Sequence, residues 1–225
     1  MDEQRRIDTL TLEQLKSALI NASELVIESE KFLTELDTII GDGDHGETMK
    51  VGFSALANLL QNEQYDDAEA LFIASGMELL RVMGGASGVI FGTLFIGGRD
   101  ILKGKKTVTA QDLISVFESG FDSIKRRGRS QPGDKTMLDA LSPAISEMKR
   151  AYEEGGDISR MLVCGYEGAK FGAEATKNML PRIGRSKNFR DKALGYADPG
   201  AISVSIIFLG MSQYISKIGE NINEY

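Results

Sequence analysis

The sequence predicts an all-α protein, a bundle or closed barrel of about eight antiparallel helices. Two observations lead to this prediction. Apolar residues recur at helical spacing through nearly the whole chain, and no segment alternates apolar and polar residues over the length of a strand. Short connections between the apolar stretches favour antiparallel neighbours. With 225 residues and no evident linker or repeat, residues 1–225 are expected to form one domain.

The predicted helices follow one another from one end of the chain to the other. Thr11 and Thr109 are the expected N-caps of the first and fifth, since a threonine hydroxyl can accept a hydrogen bond from a first-turn amide. Residues 202–208 are rich in β-branched side chains, but their length fits a buried helix as well. The apolar stripes cover residues 12–36, 49–60, 68–80, 89–101, 113–124, 135–152, 158–180 and 201–218.

One connection differs from the others. Residues 181–199 are polar and basic, and a proline stands at each end of the segment. A loop of this length inside a compact domain is usually functional. Arg182 and Arg185 within it are candidate phosphate ligands, although exposed arginines are more often simply solvated.

Composition excludes several classes of protein. A net charge of -7 argues against a protein that binds the nucleic-acid backbone, which needs a basic face. The single cysteine, Cys164, excludes an internal disulfide and fits a reducing compartment. The N-terminal residues lack the apolar core of a signal peptide, and no run of about 18 apolar residues is present. We therefore expect a soluble cytoplasmic protein that does not enter a membrane.

The most informative segment is an acidic loop of Gly41-Asp42-Gly43-Asp44-His45-Gly46, with Asp37 five residues before Asp42. Three carboxylates and the only histidine of the chain lie within nine residues. Such a cluster repels itself unless a cation holds it together. Mg²⁺ prefers oxygen ligands and is usually bound by a few carboxylates together with substrate phosphates. The loop therefore predicts a magnesium site and phosphate chemistry.

Two familiar motifs resemble this loop but do not explain it. The spacing of Gly41, Gly43 and Gly46 matches a dinucleotide fingerprint, yet no strand precedes it and the intervening acids would repel phosphate. A calcium-binding EF-hand loop would need glycine and glutamate where the chain has Glu47 and Phe53. A solvated acidic turn that caps the following helix stays open as the plain alternative.

Three further glycine clusters are candidate ligand-binding loops. Residues 84–88 (Gly-Gly-Ala-Ser-Gly) would let backbone approach an anion closely, or would simply allow tight helix packing. Residues 128–136 fall one residue short of a P-loop, because Asp134 interrupts the required Gly-Lys-Thr. A plain helix start is an equally good explanation there. Residues 198–200 (Asp-Pro-Gly) form a turn before the last helix.

Taken in order, these motifs resemble the L subunit of dihydroxyacetone kinases over roughly residues 10–220. The resemblance implies a barrel of eight antiparallel helices with a nucleotide site at one end. It implies that Asp37, Asp42 and Asp44 bind two Mg²⁺ ions, which bridge the phosphates of ADP or ATP, and that these acids and Arg185 serve catalysis. The nucleotide contacts that it implies are His45, Gly46, Glu47, Thr48, Ala86, Ser87 and Arg185 at the phosphates, and Gly128, Met137, Asp198, Pro199 and Gly200 around the nucleoside.

The resemblance also implies a divided enzyme. In this family the hydroxyketone is bound covalently by a histidine of a separate K subunit, and this chain has no second histidine that could replace it. In one form of the family, a phosphohistidine protein, the M subunit of a phosphotransferase system, rephosphorylates an ADP held as a fixed cofactor. In the other form ATP is an exchanging substrate. A free-standing L chain of this length is commoner in the first form, which we favour; a homodimer stays open.

One segment departs from the family pattern. After Gly184-Arg185 the family usually continues with a small residue, serine, an aromatic residue, leucine, glycine and glutamate, whereas this chain has Ser-Lys-Asn-Phe-Arg-Asp at 186–191. The added positive charge leaves open a kinase that uses ATP on a tetrulose or similar ketose. A nucleotide-state sensor that binds a transcription regulator is the alternative from another class, although a sensor would not require three acids.

Overall fold

A computed structural model describes residues 6–221. Within them the chain forms nine α-helices, two short strands and three 3₁₀ segments. The α-helices are α1 (Leu12–Glu28), α2 (Glu30–Ile40), α3 (His45–Asn62), α4 (Ala68–Val82), α5 (Gly85–Ile96), α6 (Ala110–Gly128), α7 (Leu138–Glu153), α8 (Ile158–Ala175) and α9 (Pro199–Asn221). The strands are β1 (Thr9–Thr11) and β2 (Thr107–Thr109), and the 3₁₀ segments are Arg99–Leu102, Thr176–Asn178 and Arg185–Ala193.

The helices form a closed antiparallel barrel, as predicted. From α3 to α9 each helix packs on the next, and α9 returns to pack on α1, which closes the ring. Only Ser29 separates α1 from α2, and its hydroxyl donates back to the carbonyl of Leu25 at 2.8 Å. We therefore count α1 and α2 as one helix with a bend at Ser29, so the nine α-helices form an eight-helix barrel.

At the end of the barrel where α1, α4, α6 and α8 begin, a side chain caps the N-terminus of each helix. Thr11 and Thr109 cap α1 and α6 as predicted, each within a reciprocal capping box, and Asp67 and Asp157 cap α4 and α8. The sequence did not predict β1 and β2, which pair antiparallel directly ahead of α1 and α6. Three residues are too few to display an alternating pattern.

Aromatic and aliphatic side chains fill the barrel and continue to its other end. The rings of Phe117 and Phe208 lie 4.9 Å apart, and those of Phe53 and Phe91 meet edge to face at 6.2 Å. Phe91 is buried in the core and also lines the cavity described below. The core therefore forms part of the wall of that cavity.

Among the described residues, α9 alone has the length and apolar character of a membrane span, with a mean hydropathy of 1.4 over Pro199–Glu220. The helix packs between α1 and α8, and 56% of this stretch is buried inside the barrel. A core helix has the same composition as a membrane-spanning one. Its hydropathy is therefore accounted for within the fold.

Candidate functional site

A cavity of about 410 Å³ opens at the end of the barrel where α3, α5, α7 and α9 begin. The first residues of all four helices line it, and the acidic loop and residues 183–186 complete its wall. The residues that line it are Asp37, Asp42, Asp44, His45, Thr48, Gly84, Gly85, Ala86, Ser87, Ile90, Phe91, Ile124, Gly128, Ser130, Lys135, Thr136, Met137, Leu138, Ile183, Gly184, Arg185, Ser186, Asp198, Pro199 and Gly200.

Three of these helices begin without a side-chain cap. The N-cap residues of α3, α5 and α7 are Asp44, Gly84 and Met137, and none of their side chains accepts a hydrogen bond from the first turn. In α3 the carboxylate of Asp37 accepts the amide hydrogen of His45 at 3.2 Å, so the plain alternative of an acidic turn that caps α3 stays open. The first amide of α7, at Leu138, donates to the Thr136 hydroxyl at 3.2 Å. The first turn of α5 (Gly85, Ala86 and Ser87) lines the cavity, and the positive end of its dipole suits an anion such as a phosphate.

The acidic loop brings three carboxylates together. One oxygen from each of Asp37, Asp42 and Asp44 lies within 4.8 Å of the other two. Asp37 is buried while Asp42 and Asp44 are exposed. Because Mg–O bonds are 2.0–2.1 Å long, two oxygens on one ion lie up to about 4.2 Å apart. The triad thus has the chemistry and nearly the spacing of a magnesium site.

Glycine is required beside this triad. A Cβ at position 41 would lie 2.0 Å from Oδ1 of Asp37, so only glycine leaves room for that carboxylate. Gly43 adopts a φ of 78°, in the left-handed region that favours glycine. The backbone is therefore shaped around the carboxylates.

Arg185 reaches the triad from the opposite wall. Its guanidinium contacts the carboxylate of Asp42 and lies 3.8 Å from that of Asp44. An arginine beside a cluster of acids balances their charge and presents planar donors that match phosphate oxygens. It lies where it could contact a phosphate bound at the triad.

His45 joins the acidic loop to the start of α9. Its backbone N–H donates to the Asp37 carboxylate at 3.2 Å, and its Nε2 lies 2.9 Å from the hydroxyl of Ser203. Burial lowers the pKa of His45, while the Asp37 carboxylate and the Pro199 carbonyl act in the opposite direction. The imidazole is therefore neutral near pH 7.

The loop between α6 and α7 also lines the cavity, through Ser130, Lys135, Thr136 and Met137. The Asp139 carboxylate accepts hydrogen bonds from the amides of Gly133 and Thr136, at 2.5 and 2.7 Å. Apolar side chains face the cavity here, which suits a flat base better than a phosphate. These apolar residues are Ile90, Ile124, Met137, Leu138 and Ile183.

Asp198 stands between this wall and α9. Its carboxyl accepts the amide hydrogen of Ala201 at 2.8 Å and so caps α9, while Pro199 takes the first helical position. Burial raises the pKa of Asp198 to about 7; Asp139 and Asp37 also raise it, and the Ala201 amide and Lys135 lower it. The group titrates in the physiological range, where it could respond to a bound base.

All but three of the site residues expected from the sequence line this cavity; one of the three, Arg182, lies 3.7 Å from the Asp134 carboxylate. Gly46 instead packs against α2, where a Cβ would lie 2.2 Å from the Glu30 carbonyl, and Glu47 faces solvent. Sequence reasoning did not select Lys135, which is 1% exposed. The only sequence signal for Lys135 was its position in a segment that resembles a P-loop. That signal does not reveal its hydrogen bonds, because the partners lie far along the chain.

Fold and site together define a helical barrel with a candidate metal and phosphate site at one end. Residues 39–213 match the DAK2 domain family, and the chain belongs to this family. The chain is 33% identical over 196 residues to the ADP-binding subunit DhaL of the PEP-dependent dihydroxyacetone kinase of Escherichia coli K12, covering 87% of this chain and 93% of that subunit. The resemblance to the kinase L subunit is thereby confirmed, and so is the phosphotransferase class expected from it.

Other matches are to longer proteins. The L-erythrulose 1-kinase of Mycolicibacterium smegmatis is 26% identical over 196 residues, which cover 86% of this chain and 34% of that protein. The dihydroxyacetone kinase of C. freundii in complex with AMP-PNP and Mg²⁺ shares the fold with a TM-score of 0.70 and 24% identity. That match covers 95% of this chain and 36% of the kinase chain. This chain thus spans about a third of the length of these two proteins.

Proposed function

We propose that this chain is the ADP-binding L subunit of a dihydroxyacetone kinase in the cytoplasm. It would pass a phosphoryl group from a phosphohistidine protein of a phosphotransferase system to dihydroxyacetone held on a K subunit. The observation that carries the proposal is a cavity in which three clustered carboxylates, the Arg185 guanidinium and the first turn of α5 come together. The match to the E. coli subunit along nearly its full length supports the same function.

Asp37, Asp42 and Asp44 are the residues that would hold Mg²⁺, as two ions in the family pattern. When bound, the metal neutralises phosphate charge, which is the main requirement of phosphoryl transfer. The first-turn amides of α5 bind phosphate oxygens, and Arg185 adds a positive charge on the opposite side. The apolar wall beside Met137 and the Asp198–Gly200 turn hold the nucleoside.

A metal-ligand variant tests the proposal. Asp42→Ala should lower phosphoryl transfer by at least about 100-fold, as loss of key electrostatic stabilisation does, while the unfolding midpoint stays close to that of the unchanged protein. Asp122→Ala, which removes an exposed aspartate of α6 outside the cavity lining, is the matched control and should retain full transfer. Chelation of Mg²⁺ should reproduce the Asp42→Ala result, and retained turnover in either case would refute the catalytic role.

A second candidate is a subunit of an ATP-dependent kinase for a tetrulose. It is favoured by the match to the L-erythrulose 1-kinase and by the exposed cations Lys187, Arg190 and Lys192 beside the cavity. The purified protein discriminates between the two. ADP that co-purifies and does not exchange with added ATP supports the first candidate, whereas rapid exchange supports the second.

A further inference from the structure

Lys135 is a buried cation whose hydrogen-bonding capacity is fully used. Its side chain is 1% exposed, and its Nζ donates to the carbonyls of Met179 at 3.2 Å, Ala193 at 2.5 Å and Tyr196 at 2.9 Å. An ammonium group has three N–H donors. None remains for a phosphate, so this lysine does not act as a P-loop lysine does.

The three carbonyls come from both ends of one segment. Met179 precedes the long polar loop, Ala193 is the last residue of the 3₁₀ segment within it, and Tyr196 follows that segment. Two backbone hydrogen bonds also hold the ends of this segment. The Arg182 N–H donates to the Asp134 carbonyl at 3.1 Å, and the Gly195 N–H donates to the Lys177 carbonyl at 2.8 Å. Lys135 therefore gathers the two ends of this segment, which we call the strap (residues 179–196), at one point.

The middle of the strap crosses the site. Residues 183–186 line the cavity, and Arg185 among them contacts the carboxylates of Asp42 and Asp44. Of the remaining cations of the strap, Arg182 lies 3.7 Å from the Asp134 carboxylate, and Lys187, Arg190 and Lys192 are exposed. The segment that Lys135 closes is thus the one that brings an arginine to the acidic triad.

A buried charge at this position has an energetic cost. Burial lowers the pKa of Lys135, and the Asp198 carboxyl opposes that effect. The backbone at Lys135 has a φ of 61°, in the left-handed region that a lysine rarely adopts. An apolar residue of similar length would avoid the desolvation cost, so the three carbonyl contacts are the feature that only an ammonium group provides.

We propose that Lys135 is a positioning residue that holds the strap over the cavity, so that it places Arg185 and slows the release of bound nucleotide. The inference rests on the proposed function for its ligand. The holding of the strap is a separate physical claim that can be measured without any nucleotide.

Trypsin measures the strap directly, because the strap contains Arg182, Arg185, Lys187, Arg190 and Lys192. Lys135→Met keeps the length of the side chain and removes the charge. Hydrogen bonds to a charged group are strong enough that their loss should raise the rate of cleavage within the strap by about tenfold or more. Lys125→Met is the control, because that lysine lies on α6 over the ring of Phe121, and it should leave cleavage unchanged.

Release of a fluorescent ADP analogue in the presence of Mg²⁺ gives the functional readout. Lys135→Met should release the analogue at least about tenfold faster, while Lys125→Met should not. Wild-type release and cleavage rates in Lys135→Met would overturn the inference. If the unchanged protein does not bind the analogue, the proposed function fails, while the cleavage experiment still decides the role of Lys135.

A double-mutant cycle tests whether Lys135 acts through Arg185. If it does, adding Lys135→Met to Arg185→Ala should cause no further loss of phosphoryl transfer, whereas additive losses would contradict the inference. Lys135→Gln, which keeps two N–H donors, should restore part of the protection against trypsin. If Lys135→Met and Lys135→Gln both fail to fold, Lys135 serves global stability and the inference is wrong.

Discussion

The Nε2 atom of His45 lies 2.9 Å from the hydroxyl of Ser203, and that hydroxyl also donates to the Pro199 carbonyl at 3.0 Å. Because the hydroxyl proton is directed to Pro199, Ser203 accepts a hydrogen bond from the imidazole. The proton of the neutral ring is thus on Nε2, and Nδ1 is left as an acceptor. The start of α3 and the start of α9 are linked through this one contact.

Removing that link should weaken nucleotide binding. Ser203→Ala is expected to lower the affinity for Mg²⁺ and ADP roughly fivefold, the effect of about one net hydrogen bond, as measured by calorimetric titration. Ser205→Ala is the matched control, because its hydroxyl bonds only to the carbonyl of Ile202 in its own helix. Equal affinities for the two variants would show that the link does not matter for binding.

Gly41→Ala should damage the metal site more than the fold. The added Cβ would displace the Asp37 carboxylate, so the affinity for Mg²⁺ should fall about tenfold or more, with an unfolding free energy lower by about 1–3 kcal/mol. Gly219→Ala adds the same methyl group at ordinary contact distance, 3.5 Å from Ile7. Titration with Mg²⁺ and denaturant unfolding separate the two effects; unchanged Mg²⁺ affinity in Gly41→Ala would count against the triad.

Asp198 should give the stability of the unliganded protein a dependence on pH. Its pKa is about 7 in the fold and 3.8 in its unperturbed state, so between these values the folded protein holds a proton that the unfolded chain has lost. Its contribution to stability is therefore lost as pH rises from about 4 to 7, by at most about 1.4 kcal/mol per pH unit. Asp198→Asn should flatten this slope in denaturant unfolding at pH 5, 6 and 7. Asp191→Asn, on the exposed strap, should retain it; a slope that persists in Asp198→Asn would exclude Asp198 as its source.

The capped end of the barrel should affect stability without affecting the site. Thr109→Ala removes the cap of α6 and should lower the unfolding free energy by about 1 kcal/mol. Nucleotide affinity should not change, since this cap lies at the opposite end from the cavity. Thr107→Ala, an exposed strand position two residues earlier, controls for the loss of a threonine. Weaker nucleotide binding in Thr109→Ala would contradict the separation of the two ends.

The barrel was predictable because helical periodicity records which faces are buried, and that pattern is local. The boundaries were less predictable. The left-handed conformation of Gly85 lets α5 begin before the apolar stripe at Val89, whereas the left-handed conformation of Lys135 delays α7 until Leu138. Both depend on backbone angles that a pattern of apolar residues does not report.

The candidate site was predictable in its acidic loop, where the residues are adjacent in sequence. The role of Lys135 was not predictable, because its three carbonyl partners lie 44 to 61 residues further along the chain. The residue type alone does not show whether a lysine is buried or exposed. Only the fold shows that the Lys135 ammonium group, in the loop before α7, is buried against the strap.

The difference between the two ends of the barrel affects how long the folded protein persists in a cell. Side chains cap the helices at the end away from the cavity, whereas at the cavity α5 begins without a side-chain cap and three carboxylates lie close together. A ligand that binds only the folded chain adds RT ln(1 + [L]/Kd) to the unfolding free energy. The abundance of the polypeptide in a cell would then follow its nucleotide supply, since the unloaded chain opens more often and is degraded sooner.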